Sequence, residues 1–301
     1  FSTGGKYEMI CVTGAGGTVG SEVVRQLQET KTPFRAAYFS KGKADAARAK
    51  GINAVIIDYS DTNTLRNAFA GCSKLFLLGP SVPDQVDLEI NAVNASKEAG
   101  VKHIVKLSVL DCDQEEYEFG KIHRSIEKAI EASGLEWTFV RPNSFMQNAV
   151  TYMGDSIRSD SAFYTSAEHG KISHVDVRDI AEVAVKALTE SGHEGKVYTL
   201  NGPDAFTYEE MATVLSDVLK RPVNHVSLPP EDLKGAMVGQ GVPEVLADRL
   251  LDLERLYREG KASSSKSDIR EVTGHDPRRF TDYARETAAT GVWDKGAKTG
   301  A

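Results

Sequence analysis

Tyr117 and Lys121 stand in Tyr-x-x-x-Lys spacing within the stretch YEFGK. In a nucleotide-binding protein that spacing lets a lysine ammonium lower the pKa of a tyrosine, whose phenol then gives or takes a proton. Upstream, CVTGAGGTVG spaces Gly14, Gly17 and Gly20 as Gly-x-x-Gly-x-x-Gly. Gly14 permits a tight turn, Gly17 lets backbone approach a pyrophosphate, and Gly20 lets the next helix pack close to a sheet. Thr18 and Val19 open that helix and belong to the same cradle. A dinucleotide loop beside an acid–base pair is the equipment of an oxidoreductase.

The residues after the second strand decide which dinucleotide. An NAD site places Asp or Glu there, on the ribose 2′-hydroxyl. Here AAYFSKGKADAARAK has no acid before Asp45 and offers Ser40, Lys41 and Lys43 instead. A hydroxyl and two ammoniums suit a 2′-phosphate, so the expected cofactor is NADP(H). Asp58 and Tyr59 follow the third strand, where the adenine should rest, and Gly79 and Pro80 follow the fourth, beside the ribose and nicotinamide. Ser108 ends the fifth strand, at the edge where ligands bind. Its hydroxyl either touches the nicotinamide amide or substrate, or caps a turn. In RPNSFMQN, Arg141 and Pro142 shape a turn, and Asn143, Phe145, Met146 and Asn148 line the floor beside the nicotinamide. Tyr152, Phe163 and Tyr164 are further aromatic candidates for contact with a flat substrate, including a cationic one. Asp176 and Asp179 read as anchors of a sheet-to-helix turn, and His174 as structural.

Helix geometry bears on the Tyr-Lys pair. At about 100° per residue, Phe119, Ile122, Ile126, Ala129 and Ile130 form one apolar stripe. Tyr117, Lys121, Arg124 and Lys128 fall on the opposite, polar face, away from a buried nicotinamide. His123 borders the stripe. It can hydrogen-bond ribose or substrate, serve as an acid near neutral pH, or be a half-buried structural histidine.

The elements that must hold these residues alternate. MICVTG, FRAAYF, NAVIIDY, KLFLLGP, HIVKLSVL and EWTFVRP read as short apolar strands, each separated from the next by a helical stretch. That rhythm predicts an α/β fold with a doubly wound, Rossmann-type parallel sheet covered on both faces. KISHVDVRDIAEVAVKAL and KVYTLNGP complete the sheet. TYEEMATVLSDVLK is a helix capped by Thr207, with Glu210 closing a capping box. The later part is expected to form a small substrate-capping lobe at the carboxyl edge of the sheet. Residues 1–8 read as an appended leader before a natural start at Met9, 9–150 as the NADP-binding domain, 151–285 as sheet completion and substrate lobe, and 286–301 as a polar tail.

Of the 301 residues, 41% are hydrophobic and 26% charged, ordinary for a soluble globular protein, and the net charge of -7 excludes nucleic acid as a general partner. No apolar run approaches a membrane span, so neither a membrane nor a nucleic acid is expected as partner. The three cysteines, Cys11, Cys72 and Cys112, show no disulfide or zinc-ligand spacing, which fits a reducing, cytoplasmic setting and no metal. The oligomeric state is not legible.

The segments VTGAGGTVG, KHIVKLS, EWTFVRPNSFMQN, VDVRDIAEVAVKAL and YTLNGPDAFTYEEMA resemble the NmrA-like branch of the atypical short-chain dehydrogenases, over about Met9 to Tyr283. That branch includes NADPH-dependent quinone and triphenylmethane dye reductases, together with redox-silent regulators that sense the dinucleotide. NHVSLPPEDLKGAM and DPRRFTDYARE, with Trp293 beyond, are most similar to fungal ergot-alkaloid reductases, which act on iminium or conjugated double bonds. By this resemblance His123 falls where the dye and quinone reductases carry His in a His-x-x-x-Glu pattern. The counterpart of the tyrosine is then Phe119, which cannot transfer a proton. His123 and Ser108 are the candidate catalytic residues. The implied function is hydride transfer from NADPH to an electrophilic C=N or C=C of an aromatic, alkaloid-like small molecule. The alternatives are a redox-silent cyclase of alkaloid biosynthesis with NADP as a structural wall, and a dinucleotide-sensing regulator.

Overall fold

The computed structural model describes residues 8–296. In chain order the elements are β1 (Ile10–Val12), α1 (Thr18–Glu29), β2 (Phe34–Tyr38), α2 (Lys41–Ala49), β3 (Ala54–Ile56), α3 (Thr62–Phe69), β4 (Lys74–Leu77), α4 (Gln85–Glu98), β5 (His103–Leu107), α5 (Glu118–Ala132) and β6 (Glu136–Pro142). Then follow α6 (Asn148–Thr151), α7 (Gly154–Ser159), β7 (Ala162–Thr165), α8 (Val177–Thr189), β8 (Lys196–Leu200), α9 (Tyr208–Leu219), β9 (Asn224–Ser227), α10 (Pro230–Gly239), α11 (Glu244–Arg258), α12 (Ile269–Thr273) and α13 (Phe280–Ala288).

The chain divides into two compact units. The first runs to Gln114 and takes in Gly120–Arg141 and Ile180–Tyr198. The main sheet has the order β3-β2-β1-β4-β5-β6-β8. β1 pairs in parallel with β2 (Ile10 opposite Phe34) and with β4 (Ile10 opposite Lys74). Strand order therefore reverses at β1, and the crevice at the carboxyl ends of β1 and β4 is where such sheets take ligands. All of β1 and most of β4 and β5 are buried, as a sheet covered on both faces requires. α1 lays Val19, Val23, Val24 and Leu27 on the core, a stripe at helical spacing whose buried side chains each contribute about 1.5–3 kcal/mol. Cys11, Leu65, Phe69, Leu75, Ile104, Ile126, Ile130 and Phe139 share one hydrophobic cluster. The chain returns to this unit with the bulk of α8 and β8.

The second unit comprises Glu115–Phe119, Pro142–Asp179 and the chain from Thr199 on. Its core gathers Met146, Phe163, Tyr208, Leu215, Phe280, Tyr283 and Trp293. Thr207 and Glu210 form the anticipated capping box. Two features depart from the sequence reading. β7 and β9 form a two-stranded parallel sheet, Ala162 opposite Asn224, which the polar run Asn224–Ser227 gave no sign of. Packing also continues past residue 285: α13 reaches Ala288, and Trp293 is fully buried, its indole N–H donating to the Ala149 carbonyl at 3.0 Å. All of the leader except Glu8, and the last five residues of the tail (297–301), lie outside the described residues.

Candidate functional site

Thr13 follows β1 and ties it to β4: its Oγ1 donates to the Phe76 carbonyl at 3.0 Å and accepts the Leu78 N–H at 2.9 Å. Gly14 follows at φ +63°, and the Gly17 N–H closes the turn on the Gly14 carbonyl at 2.9 Å. A Cβ on Gly20 would stand 2.1 Å from the Gly14 carbonyl oxygen, so loop and helix can approach only with glycine there. Gly17 is different. It is exposed, and a Cβ there would meet nothing nearer than the Gly14 oxygen at 3.4 Å. Nothing in the chain itself demands glycine at that position, and the space a side chain would take is left free. Gly17 is also the N-cap of α1, with no side-chain cap and no acid in the first turn, so the helix offers open N–H groups to an anion at its positive end. Thr18 and Val19 form that first turn. These residues fit a dinucleotide pyrophosphate.

The three residues assigned to the 2′-phosphate separate. Lys43 turns toward the loop, its Nζ 3.4 Å from the Gly16 carbonyl. Lys41 instead pairs with Asp45 at 2.6 Å, and Ser40 Oγ caps α2 by accepting the Lys43 N–H at 3.4 Å. Phe39, read from sequence only as a strand residue, is 77% exposed beside them, an apolar face open to a flat base. Asp58 spends its carboxylate on the N–H (2.8 Å) and hydroxyl (2.6 Å) of Ser60. Tyr59 corrects the sequence reading: it is buried in the core with its hydroxyl on the Leu78 carbonyl at 2.7 Å, not presented to adenine.

At the carboxyl ends of β4 and β5 lies a charged cluster that the sequence reading missed. Lys106 and Glu89 are both fully buried. The ammonium lies 2.8 Å from Glu89 Oε2, outside hydrogen-bond geometry, and donates to Oε1 at 3.2 Å and to the Leu107 carbonyl at 2.5 Å. Gln85 Nε2 donates to Glu89 Oε1 at 3.0 Å. Glu89 fills the space at Gly79, where a Cβ would fall 2.4 Å from its Cγ. Gly79 is therefore required by the ion pair, and Pro80 follows it in the same turn. His123 is 8% exposed, and its Nδ1 is buried with no partner among the described residues. Burial, then the nearby Lys106 charge, hold its pKa well below the ordinary histidine value, so the imidazole is neutral at neutral pH.

Ser108 enters a second buried network. Its hydroxyl donates to Glu127 Oε1 at 2.7 Å. Arg141 grips both Glu127 oxygens, Nε at 3.0 Å and Nη2 at 2.7 Å, and reaches Asp113 at 2.6 Å. The Cys112 thiol also faces Glu127 at 3.2 Å. Burial alone would raise the Glu127 pKa, but the hydrogen bonds from Arg141 and Ser108 overcome it and hold the carboxylate below its ordinary value. Burial and the Glu127 charge push the Cys112 thiol up to about 12. The Ser108 proton is thus committed inward, and what the hydroxyl retains is acceptor capacity.

Tyr117 also corrects the sequence reading. It precedes α5 rather than lying on it, and it is only 4% exposed, whereas Lys121 is exposed. The helical-wheel angle therefore did not apply to it.

In the second unit, Asn143 is spent on structure: Nδ2 donates to Asn201 Oδ1 (2.8 Å) and the Ala262 carbonyl (2.9 Å), and Oδ1 accepts the Ser144 N–H (2.8 Å). Pro142 is buried beside it. Met146 and Phe163, expected at the substrate, are fully buried in the hydrophobic core of this unit instead. Phe145 and Asn148 are partly exposed, and Tyr152 and Tyr164 are exposed, so these four remain available to a ligand. Asp176 accepts from Gln147 and Arg178, and Asp179 from Arg278; both are anchors. His174 is buried and stacks on Phe206 at 5.0 Å. Among the described residues, no helix is long and apolar enough to cross a membrane.

Residues 6–284 match the model of the NmrA-like family. The chain is 39% identical to an NAD(P)H azoreductase of Xenophilus azovorans over 93% of its length and 98% of that protein. It is 28% identical to agroclavine dehydrogenase of Claviceps fusiformis over 94% of its length and 98% of that protein. The crystal structure of the Escherichia coli NADPH-dependent quinone oxidoreductase in complex with NADPH superposes with a TM-score of 0.83 at 30% identity, covering 93% of this chain and all of that one.

Proposed function

We infer the function from one premise: the chain belongs to the NmrA-like family. It is an NADPH-dependent oxidoreductase, and its acceptor is a flat conjugated small molecule that accepts hydride without help from a strong protein acid. The observation that carries this reading is the cradle at Gly17, a position where the chain leaves room for a side chain yet has none, over an uncapped helix end. NADPH bound there supplies the hydride. The glycine loop and the first turn of α1 hold the pyrophosphate, Lys43 meets the 2′-phosphate, and the Gly79–Pro80 turn meets the nicotinamide ribose. Ser108 accepts a hydrogen bond, and His123 contributes a neutral imidazole.

The acceptor class follows from the proton inventory. Phe119 stands where a tyrosine would be, His123 is held neutral, the Ser108 proton is turned to Glu127, and the Cys112 thiol is far from titrating. Quinones, azo compounds and pre-formed cations such as iminium ions or triphenylmethane dyes tolerate that shortage, because hydride arrival needs no prior protonation. The azoreductase relative favours azo compounds, and the quinone oxidoreductase favours quinones, as the first acceptors to try. An alkaloid iminium, favoured by the ergot-like segments, belongs to the same class. Exposed Tyr152 and Tyr164 give the second unit aromatic surface for such a molecule. Anaerobic NADPH oxidation against quinones, azo dyes, a cationic dye and a simple aldehyde tests this. Turnover with the flat acceptors and none with the aldehyde is expected. Turnover of the aldehyde alone, or of nothing, contradicts it.

A further inference from the structure

The geometry points to Phe39 as the platform on which the adenine of the cofactor stacks, a contact that serves NADPH and NADH alike and admits NADH as a second cofactor. This assignment rests on the dinucleotide site proposed above. A single exposed apolar side chain ordinarily needs no explanation. Phe39 differs in how it is held and where. It is 77% exposed, the one exposed phenylalanine among the described residues. It is not part of a free loop. Tyr38 ends β2, opposite Ile56 of β3, and Ser40 is the N-cap of α2, so Phe39 is the single residue between two fixed elements.

The end of β2 and the glycine loop form one continuous edge. The Ala15 N–H donates to the Ala37 carbonyl at 3.3 Å, and Lys43 Nζ donates to the Gly16 carbonyl at 3.4 Å. A Cβ on Gly16 would fall 3.3 Å from the Tyr38 ring. With the pyrophosphate on the first turn of α1, the adenosine half lies over the carboxyl end of β2, where such sheets recognise its ribose. The next strand offers no ring there, because Tyr59 is turned into the core with its hydroxyl on the Leu78 carbonyl at 2.7 Å. Phe39 is left as the aromatic face for the base.

The groups around the ring decide which dinucleotides it admits. A stacked phenyl reads the flat face of a base and nothing at the ribose 2′ position. A site built for NAD alone places a carboxylate at that position. Here no acid lies between Tyr38 and Asp45, and Asp45 is paired with Lys41 at 2.6 Å and Arg48 at 2.8 Å. A site that excludes NADH needs strong recognition of the 2′-phosphate. Here Lys41 is committed to Asp45, and Lys43 is the cation turned to the loop. The Ser40 hydroxyl, which accepts the Lys43 N–H at 3.4 Å, can donate to a 2′-hydroxyl as readily as to a phosphate. NADPH thus gains one charge-assisted contact over NADH, a preference of roughly tenfold, while Phe39 holds both.

Calorimetric titration of the full-length protein with NADPH, NADH and 2′,5′-ADP is the test, with circular dichroism to show that each variant is folded. The parent should bind both dinucleotides, NADH roughly tenfold more weakly. Phe39→Ala should lose roughly tenfold for NADPH and NADH equally, so that their ratio is unchanged. It should lose about the same factor for 2′,5′-ADP, which carries the adenine without the nicotinamide. Phe39→Trp, which keeps a ring, should bind all three within about twofold of the parent. The assignment is overturned if folded Phe39→Ala keeps parental affinity, if it loses NADPH but not NADH, if 2′,5′-ADP is unaffected, or if folded Phe39→Trp falls as far as Phe39→Ala. It is also overturned if the parent binds NADPH but binds NADH more than about a hundredfold more weakly. A parent that binds no dinucleotide refutes the cofactor site itself, and this assignment with it.

Discussion

Lys106→Met is the perturbation whose size the structure fixes best. It keeps much of the lysine's length and removes its charge, leaving Glu89 fully buried with one hydrogen bond, from Gln85 at 3.0 Å. Removing one partner of a buried pair costs about 3–5 kcal/mol. An independent bound agrees: protonating an ordinary glutamate at neutral pH, the escape open to the stranded carboxylate, costs about 3–4 kcal/mol. The loss at pH ~7 should therefore be about 3–4 kcal/mol. It should also depend on pH. A buried acid that is protonated in the folded state and ionised in the unfolded state lowers stability as pH rises, so the deficit should shrink by about 1.4 kcal/mol per unit on acidification toward pH ~4.5. Lys106→Met/Glu89→Gln should recover most of the loss and abolish the extra pH dependence, since replacing both charges is near neutral. Urea unfolding followed by circular dichroism between pH ~5 and ~8 gives all three quantities. A single variant within about 1 kcal/mol of the parent, or a double variant no better than the single, would refute the reasoning.

Other outcomes follow from the same geometry. His123→Ala should lose about tenfold in turnover, as steady-state kinetics with a working acceptor will show. Lys43→Ala should weaken NADPH binding about tenfold or more by calorimetry and leave NADH binding little changed, while Lys41→Ala, whose partner is Asp45, should weaken it no more than about twofold. Glu127→Gln should be about 2–4 kcal/mol less stable at neutral pH. Because the Glu127 pKa is depressed in the folded state, its contribution is complete above the ordinary glutamate value of 4.5 and fades as pH falls through the folded one, so the gap between parent and variant should begin to narrow only below that ordinary value in acid-unfolding curves.

The sheet was legible because each strand is a short apolar run closed by a turn signal, and each crossover carries a helical stripe. The glycine loop was legible for the same local reason. Harder to see was whatever depends on two distant segments meeting. Glu89 and Lys106 lie on α4 and β5, and nothing local pairs them, although a lysine inside the apolar run His103–Leu107 was a sign that a partner had to exist. Lys41 and Lys43 are equivalent in the sequence; their two-residue separation on α2 sends one to Asp45 and the other to Gly16. Tyr59 and Met146 sit near the carboxyl ends of strands, but position along a strand does not say which side a side chain takes, and Phe163 shows that aromatic character alone does not separate a ligand wall from a core. Tyr117 was misplaced because the helix begins one residue after it.

The most direct test of the central claim is a single-turnover experiment with stoichiometric NADPH and a quinone or azo acceptor, run in parallel on the parent protein and on Gly17→Val. The account predicts that the parent consumes one NADPH for each hydride-equivalent accepted. It predicts that Gly17→Val, with an unchanged circular dichroism spectrum, neither binds nor consumes NADPH, because the valine enters space the folded chain leaves free and the pyrophosphate needs. Tight NADPH binding with no consumption in the parent, or parental turnover in a folded Gly17→Val, would contradict it.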